Sequence, residues 1–301
     1  MTAGNDNQTG VKDFPAEGGI IRIRPAKRTD EDALADLAYR SYKDRFFNDA
    51  VTDQLGGSLK IFPDLIPDDE NGTGQNRAFF AAYWTEAMAK LEDKDGFYCT
   101  VAEFITDGDR KGDILGFVKG YGGALEQELF TLYEAENTRR QSSALTDDFN
   151  TKAAKQTPVD LPQAEKIAEL GSLYIDPACR KSGIGRLLTQ RYAQDMQAKG
   201  YTAMTTRCYK ENNSQRFFEK MGAELFSDCP IPQQFAKTDG TRGDLTLPGE
   251  TLFWNTQQLK ALATEDVLSL QTGQKIGAAL TQPDNRRTAQ NNQRCSRSSK
   301  R

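Results

Sequence analysis

The chain of 301 residues contains no histidine. This absence excludes Ser-His and Cys-His nucleophilic machinery, together with every imidazole metal site. Proton transfer in any reaction would therefore depend on Asp, Glu, Tyr, Cys or Lys side chains, on a chain terminus or on water. We accordingly expect no metal cofactor, and we expect the catalytic groups of any enzyme to come from this short set.

Long apolar runs and paired cysteines are also missing. No apolar run approaches the roughly 18 residues that a membrane-spanning helix needs, and the N-terminal sequence MTAGNDNQTGVKDF has no apolar signal core. The five cysteines are scattered without a CxxC pair, which fits a reduced interior better than a disulfide framework. We therefore expect a cytoplasmic protein that has no membrane partner.

Charge is unevenly distributed along the chain, although the formal net charge is only −4. Residues 265–301 contain seven Lys or Arg and three Asp or Glu residues, a net charge of +4, which leaves −8 for residues 1–264. An acidic body argues against polyanionic substrates and favours cationic ones. The basic tail would be the route to any nucleic-acid contact, but its polar composition is more typical of a solvated, disordered end.

Composition divides the chain into three parts. Residues 1–19 are polar and are expected to form a disordered tail, residues 20–264 carry strand and helix patterns, and residues 265–301 form the polar, basic tail. Residues 124–164 interrupt the central part as an insertion, and a Pro- and Gly-rich loop is expected over residues 227–249.

A strand, a glycine-containing turn and a helix follow one another in the middle of the chain. The apolar run Leu173–Ile175 precedes the sequence Arg180-Lys-Ser-Gly-Ile-Gly185, after which apolar residues recur at helical spacing. Backbone N–H groups at such a helix start can hold an anion, here a pyrophosphate, and Arg180, Lys181 and Arg186 would add charge. The glycines could equally serve only to form a tight turn.

Two other nucleotide-binding patterns fit this segment poorly. The dinucleotide pattern GxGxxG requires a third glycine where Leu188 stands, and the P-loop pattern GxxxxGK[ST] is absent. Neither a dinucleotide site nor a nucleoside triphosphatase is therefore predicted.

The loop and its surroundings resemble a known family. Arg180-Lys-Ser-Gly-Ile-Gly185 matches the R-x-x-G-x-G signature of the GNAT superfamily of acyl-CoA N-acyltransferases. Residues 168–177 look like that family's fourth strand, residues 211–222 like its later short helix and residues 250–254 like its closing strand. The resemblance implies an α/β (α+β) fold with a mixed central sheet of about seven strands, a splayed parallel pair and flanking helices.

The same resemblance implies an activity and a set of binding residues. The protein is expected to be an acetyl-CoA-dependent N-acetyltransferase that acts on a primary amine of a small molecule or protein, with acetyl-CoA as the acyl donor and no metal. Backbone groups of Leu173, Tyr174 and Ile175 would pair with the pantetheine arm, although Leu173 and Ile175 would also suit ordinary core packing. The pyrophosphate would lie on Arg180, Lys181, Ser182, Gly183, Ile184, Gly185 and Arg186.

The catalytic groups that the resemblance implies are fewer. Glu169 stands where many family members carry a carboxylate that accepts the amine proton; the alternative is a charged residue at an exposed strand position. The family's tyrosine that protonates the departing sulfur is replaced here by Phe218, which we assign to the cofactor site. Tyr209 or Cys208 could supply the proton instead. Asn212 would contact the pantetheine arm, or it would cap a helix.

A second class of function stays open at this point. Because Phe218 cannot donate a proton, the chain could be an acyl-CoA-binding regulatory module with weak or no turnover. Release of free thiol from acetyl-CoA in the presence of amines would distinguish the enzyme from the binding module.

Overall fold

The computed structural model describes residues 11–16, 19–46, 75–91, 96–122, 166–210, 214–236 and 242–264. The strands in this part of the chain are β1 Lys12–Ala16, β2 Gly19–Pro25, β3 Phe97–Phe104, β4 Ile114–Gly122, β5 Ile167–Ile175, β6 Ala203–Tyr209, β7 Glu224–Ala236 and β8 Arg242–Trp254. The helices are α1 Glu31–Phe46, α2 Gln75–Ala89, α3 Ile184–Ala198, α4 Ser214–Glu219 and α5 Thr256–Thr264.

All eight of these strands form one mixed sheet in the order β1-β2-β3-β4-β5-β6-β8-β7. Every neighbouring pair is antiparallel except β5 and β6, which run parallel and are joined through α3. A parallel pair needs such a crossover connection, so the strand, helix and strand pattern in the sequence predicts this unit correctly.

Helices cover both faces of the sheet. On one face, the apolar stripe of α3 packs on residues such as Leu115 and Val118 of β4, and α5 packs against α3 and the strands β6 and β8. On the other face, α1 and α2 pack on Ile114 and Phe117 of the same strand. Because successive residues of a strand point to opposite faces, one strand serves both cores.

Two segments differ from the sequence-based expectation. The assignment of residues 1–19 to a disordered tail was wrong for Lys12–Ala16, which pairs antiparallel with β2 and adds an eighth strand to the expected seven. Residues 227–249 are largely a long antiparallel ribbon of β7 and β8 rather than a loop. Pro230 and Pro232 lie in the edge strand β7, and Pro248 lies in the part of β8 that extends beyond its pairing with β6. Prolines are tolerated at such edges of a sheet. The expected insertion at 124–164 and the tail at 265–301 lie outside the described residues.

The parallel pair separates part of the way along β5. Pairing with β6 covers Ile167 to Leu170, whereas β4 continues to pair with β5 as far as Ile175. Gly171 is an extra residue in the β4 ladder, since Gly120 pairs with Leu170 and Lys119 with Ser172. Such a bulge bends the strand. The edge of β5 that faces β6 is therefore left unpaired with β6 from residue 171 to residue 175.

A buried tyrosine supports this bulge. The Tyr192 hydroxyl of α3 donates to the Glu169 backbone carbonyl at 2.8 Å, in the space left by the missing side chain of Gly120. A Cβ on Gly120 would overlap both the hydroxyl and that carbonyl. The glycine is therefore required by the close approach of helix and sheet rather than by its backbone angles.

Substitution of Gly120 by Ala is expected to lower the free energy of unfolding by ~3 kcal/mol, because the backbone of β5 cannot move aside without breaking the bulge. Denaturant unfolding would measure the change. Gly200→Ala is a suitable control, since its Cβ would meet nothing within 4 Å and only its positive φ of 85° resists substitution. A loss no larger than that of the control would contradict this account of the bulge.

Candidate functional site

The segment between β5 and α3 forms a loop with left-handed turns. Asp176 accepts a hydrogen bond from the Ala178 N–H at 2.9 Å and starts a short 3-10 turn over Pro177–Cys179. Lys181 and Gly183 then have positive φ angles of 62° and 99°. Lys181 is the one non-glycine residue with a positive φ among the described residues.

The N-terminus of α3 faces this loop without a side-chain cap. Gly183 is the N-cap residue, and the first backbone N–H groups of a helix have no acceptor within the helix. The Ser182 hydroxyl is buried and donates to the Cys179 carbonyl, so Ser182 would offer a ligand its backbone rather than its side chain. Backbone N–H groups at the start of a helix and the helix dipole make the loop suited to an anion, as the sequence pattern predicts.

An ion pair holds the loop against α1. Arg40 donates to the carboxylates of Asp36 at 2.8 Å and Asp176 at 2.9 Å, and Asp176 is only 3% exposed. Burial is the largest single effect and opposes the charge of Arg40, but the hydrogen bonds and charges of Asp176 and Asp36 together outweigh it and raise the pKa of the guanidinium. Asp176 therefore joins three elements, namely the end of β5, the 3-10 turn and α1.

The open edge of β5 leads from this loop toward the middle of the sheet. Leu173, Tyr174 and Ile175 are partly buried. Leu173 and Ile175 pack on the α3 side of the sheet, and Tyr174 packs against Phe117 on the α1 and α2 side. The side chains of Leu173–Ile175 thus pack in the two cores, while the backbone edge of the same residues lies beyond the pairing with β6.

Glu169 lies where β5 and β6 are still paired, just before the bulge. Its side chain is only 5% exposed, and Oε1 accepts hydrogen bonds from Arg207 Nε at 3.1 Å and Nη2 at 2.8 Å. Oε2 is buried, and no described residue donates a hydrogen bond to it. The alternative of an exposed strand position is therefore wrong. A buried carboxylate oxygen without a donor is unusual, which makes Glu169 a candidate functional residue.

Tyr209 lies on the same face of the sheet as Glu169. Thr205 is the register partner of Glu169, and Arg207 and Tyr209 follow it at every second position of β6, so all three lie on one face. Cys208 points the other way and is buried in the core beneath α3. Tyr209 therefore shares the face of Glu169, four residues further along β6 than its register partner, whereas Cys208 faces the opposite core.

Phe218 is a core residue, and its assignment to the cofactor site stays a prediction. It is 5% exposed and packs edge-on against Trp254 with ring centroids 5.7 Å apart. Phe217 is partly exposed and borders the start of α3, since a Cβ on Gly185 would lie 3.4 Å from its ring. Adjacent positions of a helix point about 100° apart, so only one of the two aromatic residues can enter the core. Asn212 lies outside the described residues.

Arg207, Lys119 and the tyrosines near them were missed by the sequence analysis. Arg207 acts on a residue 38 positions away, so no local pattern could reveal it. Lys119 did leave a signal, because it is the single charged residue of the otherwise buried strand β4. Within the described ranges, no group of carboxylates and cysteines is arranged to hold a metal ion, and no helix is long and apolar enough to cross a membrane.

Comparison with solved structures gives neighbours of low similarity. The PaiA N-acetyltransferase of Thermoplasma acidophilum, solved with coenzyme A, is 16% identical, with 78% of this chain and 98% of that chain covered and a TM-score of 0.43. A spermidine N-acetyltransferase from Vibrio cholerae is 9% identical over 79% and 95% of the two chains, with a TM-score of 0.41. Arabidopsis thaliana NAA60, solved with acetyl-CoA, is 10% identical over 79% and 99%, with a TM-score of 0.39.

Sequence comparison identifies the family. No curated protein matches the chain. The family model described as "Acetyltransferase (GNAT) family" matches residues 75–223, a range that contains the bulge, the loop and α3. The mixed sheet with one parallel pair agrees with this match. The chain therefore belongs to the GNAT family of acetyltransferases.

Proposed function

We propose that the protein is an acetyl-CoA-dependent N-acetyltransferase that modifies a primary amine of a small molecule or protein. The observation that carries the proposal is one continuous path. The open edge of residues 171–175 runs from the buried carboxylate of Glu169 to the uncapped N-terminus of α3. We place this domain over residues 20–264 and its activity in the cytoplasm, where its free cysteines would stay reduced.

The residues of this path suit the parts of an acyl-CoA. Backbone N–H groups from Lys181 to Arg186 would hold the pyrophosphate, and the guanidinium groups of Arg180 and Arg186 would add charge. The edge of Leu173–Ile175 that lies beyond the pairing with β6 would hydrogen-bond the pantetheine amides as an added strand does. When bound, the donor supplies an activated acyl thioester, so the protein needs to provide only binding, orientation and proton transfer.

Glu169 would accept the proton of the amine. An alkylamine with a pKa near ~10.4 is almost fully protonated at neutral pH and cannot attack a carbonyl carbon until that proton is lost. Oε2 of Glu169 is the atom available for this proton, because Oε1 is occupied by Arg207. As the amine nitrogen bonds to the carbonyl carbon, the carbon–sulfur bond breaks. Tyr209 or water would then donate a proton to the departing thiolate.

Thiol release tests this function directly. Wild-type protein mixed with acetyl-CoA and a panel of primary amines should release coenzyme A thiol at a rate that depends on the amine. Tyr209→Phe should slow release if the phenol donates the proton and should change nothing if water does. Tight binding of coenzyme A without thiol release from any amine would contradict the proposal.

The two neighbouring phenylalanines should respond differently to an added hydroxyl. Phe218→Tyr would bury a hydroxyl beside Trp254 and is expected to lower the free energy of unfolding by ~1–3 kcal/mol. Phe217→Tyr should leave stability unchanged, because its ring borders the cleft at Gly185, and turnover should be unchanged or raised. Thermal unfolding and thiol release would measure both. If the Phe218→Tyr variant is as stable as the wild type and releases thiol faster, Phe218 does not face the core and this orientation of α4 is wrong.

A further inference from the structure

Lys119 is a buried charged residue on the face of the sheet that also carries Glu169. It lies in the middle of β4 with 8% of its surface exposed, and it points to the α1 and α2 face of the sheet, as Phe117 and Tyr121 do. Its ammonium donates to the Tyr83 hydroxyl and lies 3.4 Å from the Tyr121 hydroxyl. The rings of Tyr83, Tyr121 and Trp84 lie 4.4 to 5.8 Å from the same nitrogen.

This ammonium differs from Arg24, the other buried cation in the described part of the chain, because Arg24 is paired with Asp30 and Glu103. No described carboxylate pairs with Lys119, although a buried charge is costly unless a counter-charge or hydrogen bonds compensate it. Aromatic rings compensate only part of that cost. An anionic ligand would supply the counter-charge that no described residue provides.

The groups around Lys119 are hydrogen-bond donors. Burial, and then the neighbouring phenols of Tyr121 and Tyr174, raise the pKa of Tyr83, so its hydroxyl keeps its proton at neutral pH. The hydroxyls of Tyr83 and Tyr121 lie 3.2 Å apart. The indole N–H of Trp84 is buried, and no described residue accepts its hydrogen bond. Lys119 therefore stands in a group of donors that lacks an acceptor with negative charge.

The donor group adjoins the proposed base. Tyr121 is the register partner of Glu169, and Lys119 is the partner of Ser172 on the other side of the bulge. Lys119 is two positions from Tyr121, about 7 Å along an extended strand. An acceptor whose amine reaches Glu169 could thus place a second group, several bonds away, against Lys119.

We propose that the acceptor is a small amino carboxylate, whose carboxylate binds to Lys119, Tyr83 and Tyr121 while its amine faces Glu169. The inference rests on the proposed function and names the substrate class for that same site. It departs from the expectation of a cationic acceptor that follows from the acidic body. Overall charge acts at long range and is screened by salt, whereas a buried ammonium acts at contact and is screened much less.

Matched amines would test the proposal by two independent readouts. The acceptors are 4-aminobutyrate and 6-aminohexanoate, each beside its carboxamide and the corresponding 1-aminoalkane. Thiol release gives kcat/KM, and calorimetry with coenzyme A present gives binding without turnover. The wild-type protein should prefer at least one carboxylate over its two analogues by about tenfold or more in both readouts.

Variants at the lysine should remove or retain this preference according to charge. Lys119→Met should abolish the preference, and Lys119→Arg should retain most of it. Lys199→Met is the matched control, because Lys199 also lies over an aromatic ring, that of Tyr98 at 4.4 Å, but at the far end of α3. Should Lys119→Met fail to fold, Tyr83→Phe keeps the ring, loses the hydroxyl and should weaken the carboxylates alone.

Each outcome decides one of the two proposals. Equal binding of carboxylates and their analogues, binding of none of them, or an unchanged preference in Lys119→Met would overturn the amino carboxylate site and leave Lys119 as a structural cation. Selective carboxylate binding without thiol release would support the site and contradict the acetyltransferase activity. Thiol release from the 1-aminoalkanes alone would support the activity and overturn the site.

Discussion

Replacement of Gly185 by Asp is expected to abolish coenzyme A binding while the protein remains folded. Gly185 lies in the first turn of α3, and a Cβ there would make only ordinary contacts, 3.4 Å from Phe217 and 3.7 Å from Ile175. A carboxylate near a helix N-terminus is itself favourable. The substitution should therefore cost little stability, and its effect should fall on the ligand.

The expected loss follows from like charges placed in contact. The carboxylate of Asp would occupy the region where the backbone N–H groups face the proposed pyrophosphate, and such a juxtaposition costs several kcal/mol. The dissociation constant should rise on the order of 100-fold or more, since each 1.4 kcal/mol is a factor of ten. Isothermal titration calorimetry with coenzyme A would measure it. Gly183→Asp is less informative, because the φ of 99° at Gly183 would strain any side chain.

The opposite end of the same helix provides the control. Gly200 follows the C-terminus of α3, and a Cβ there would meet nothing within 4 Å. Gly200→Asp adds the same charge at the far end of the helix; its positive φ of 85° costs some stability, but the affinity for coenzyme A should stay unchanged. If Gly185→Asp is folded and binds coenzyme A as tightly as this control, the loop is not the pyrophosphate site.

Local pattern was sufficient to predict the loop and its helix. Leu187, Leu188, Tyr192 and Met196 recur at helical spacing and are all buried in the structure. The positive φ of Gly183 agrees with a glycine at the turn. These features depend on neighbours within one or two helical turns, so a single sequence contains the necessary information.

Features that depend on distant partners could not be predicted in the same way. The bulge at Gly171 exists because Gly120 and Tyr192 make room for the backbone of β5. A sequence-based prediction assigns alternate residues of β5 to alternate faces of the sheet and continues this through Gly171. The sequence alone therefore does not show that the bulge reverses the assignment of faces after this residue. Glu169 likewise reads as an exposed charge until β6 supplies Arg207.

Two aromatic residues and a pair of prolines illustrate other limits. Phe217 and Phe218 are chemically identical, and only the packing of α4 against Trp254 decides which one is buried. Pro230 and Pro248 indicate a loop by composition, yet they face each other within the β7 and β8 ribbon. Edge position, which makes such prolines acceptable, is a property of the whole sheet.

Substitution of Glu169 by Gln is expected to lower kcat by about 10²–10⁴-fold, the usual contribution of a positioned general base. Glutamine keeps the shape of the side chain, and its amide oxygen can still accept hydrogen bonds from Arg207, so the register of β5 and β6 should be retained. Affinity for coenzyme A should not change, because the loop lies at the other end of β5. Steady-state thiol release and calorimetry would measure the two quantities separately.

The pH dependence should distinguish a base from a structural ion pair. Without a base, the reaction depends on amine that is already deprotonated, and this fraction rises tenfold per pH unit below the amine pKa of ~10.4. The deficit of Glu169→Gln should therefore shrink as pH rises. Glu103→Gln is the matched control, since Glu103 also pairs with a partly buried arginine, Arg24 at 2.7 Å, but belongs to β3. It should lose stability without losing turnover. A wild-type rate and pH profile in Glu169→Gln would mean that Glu169 serves only to hold Arg207, and the proton would then have to pass to water.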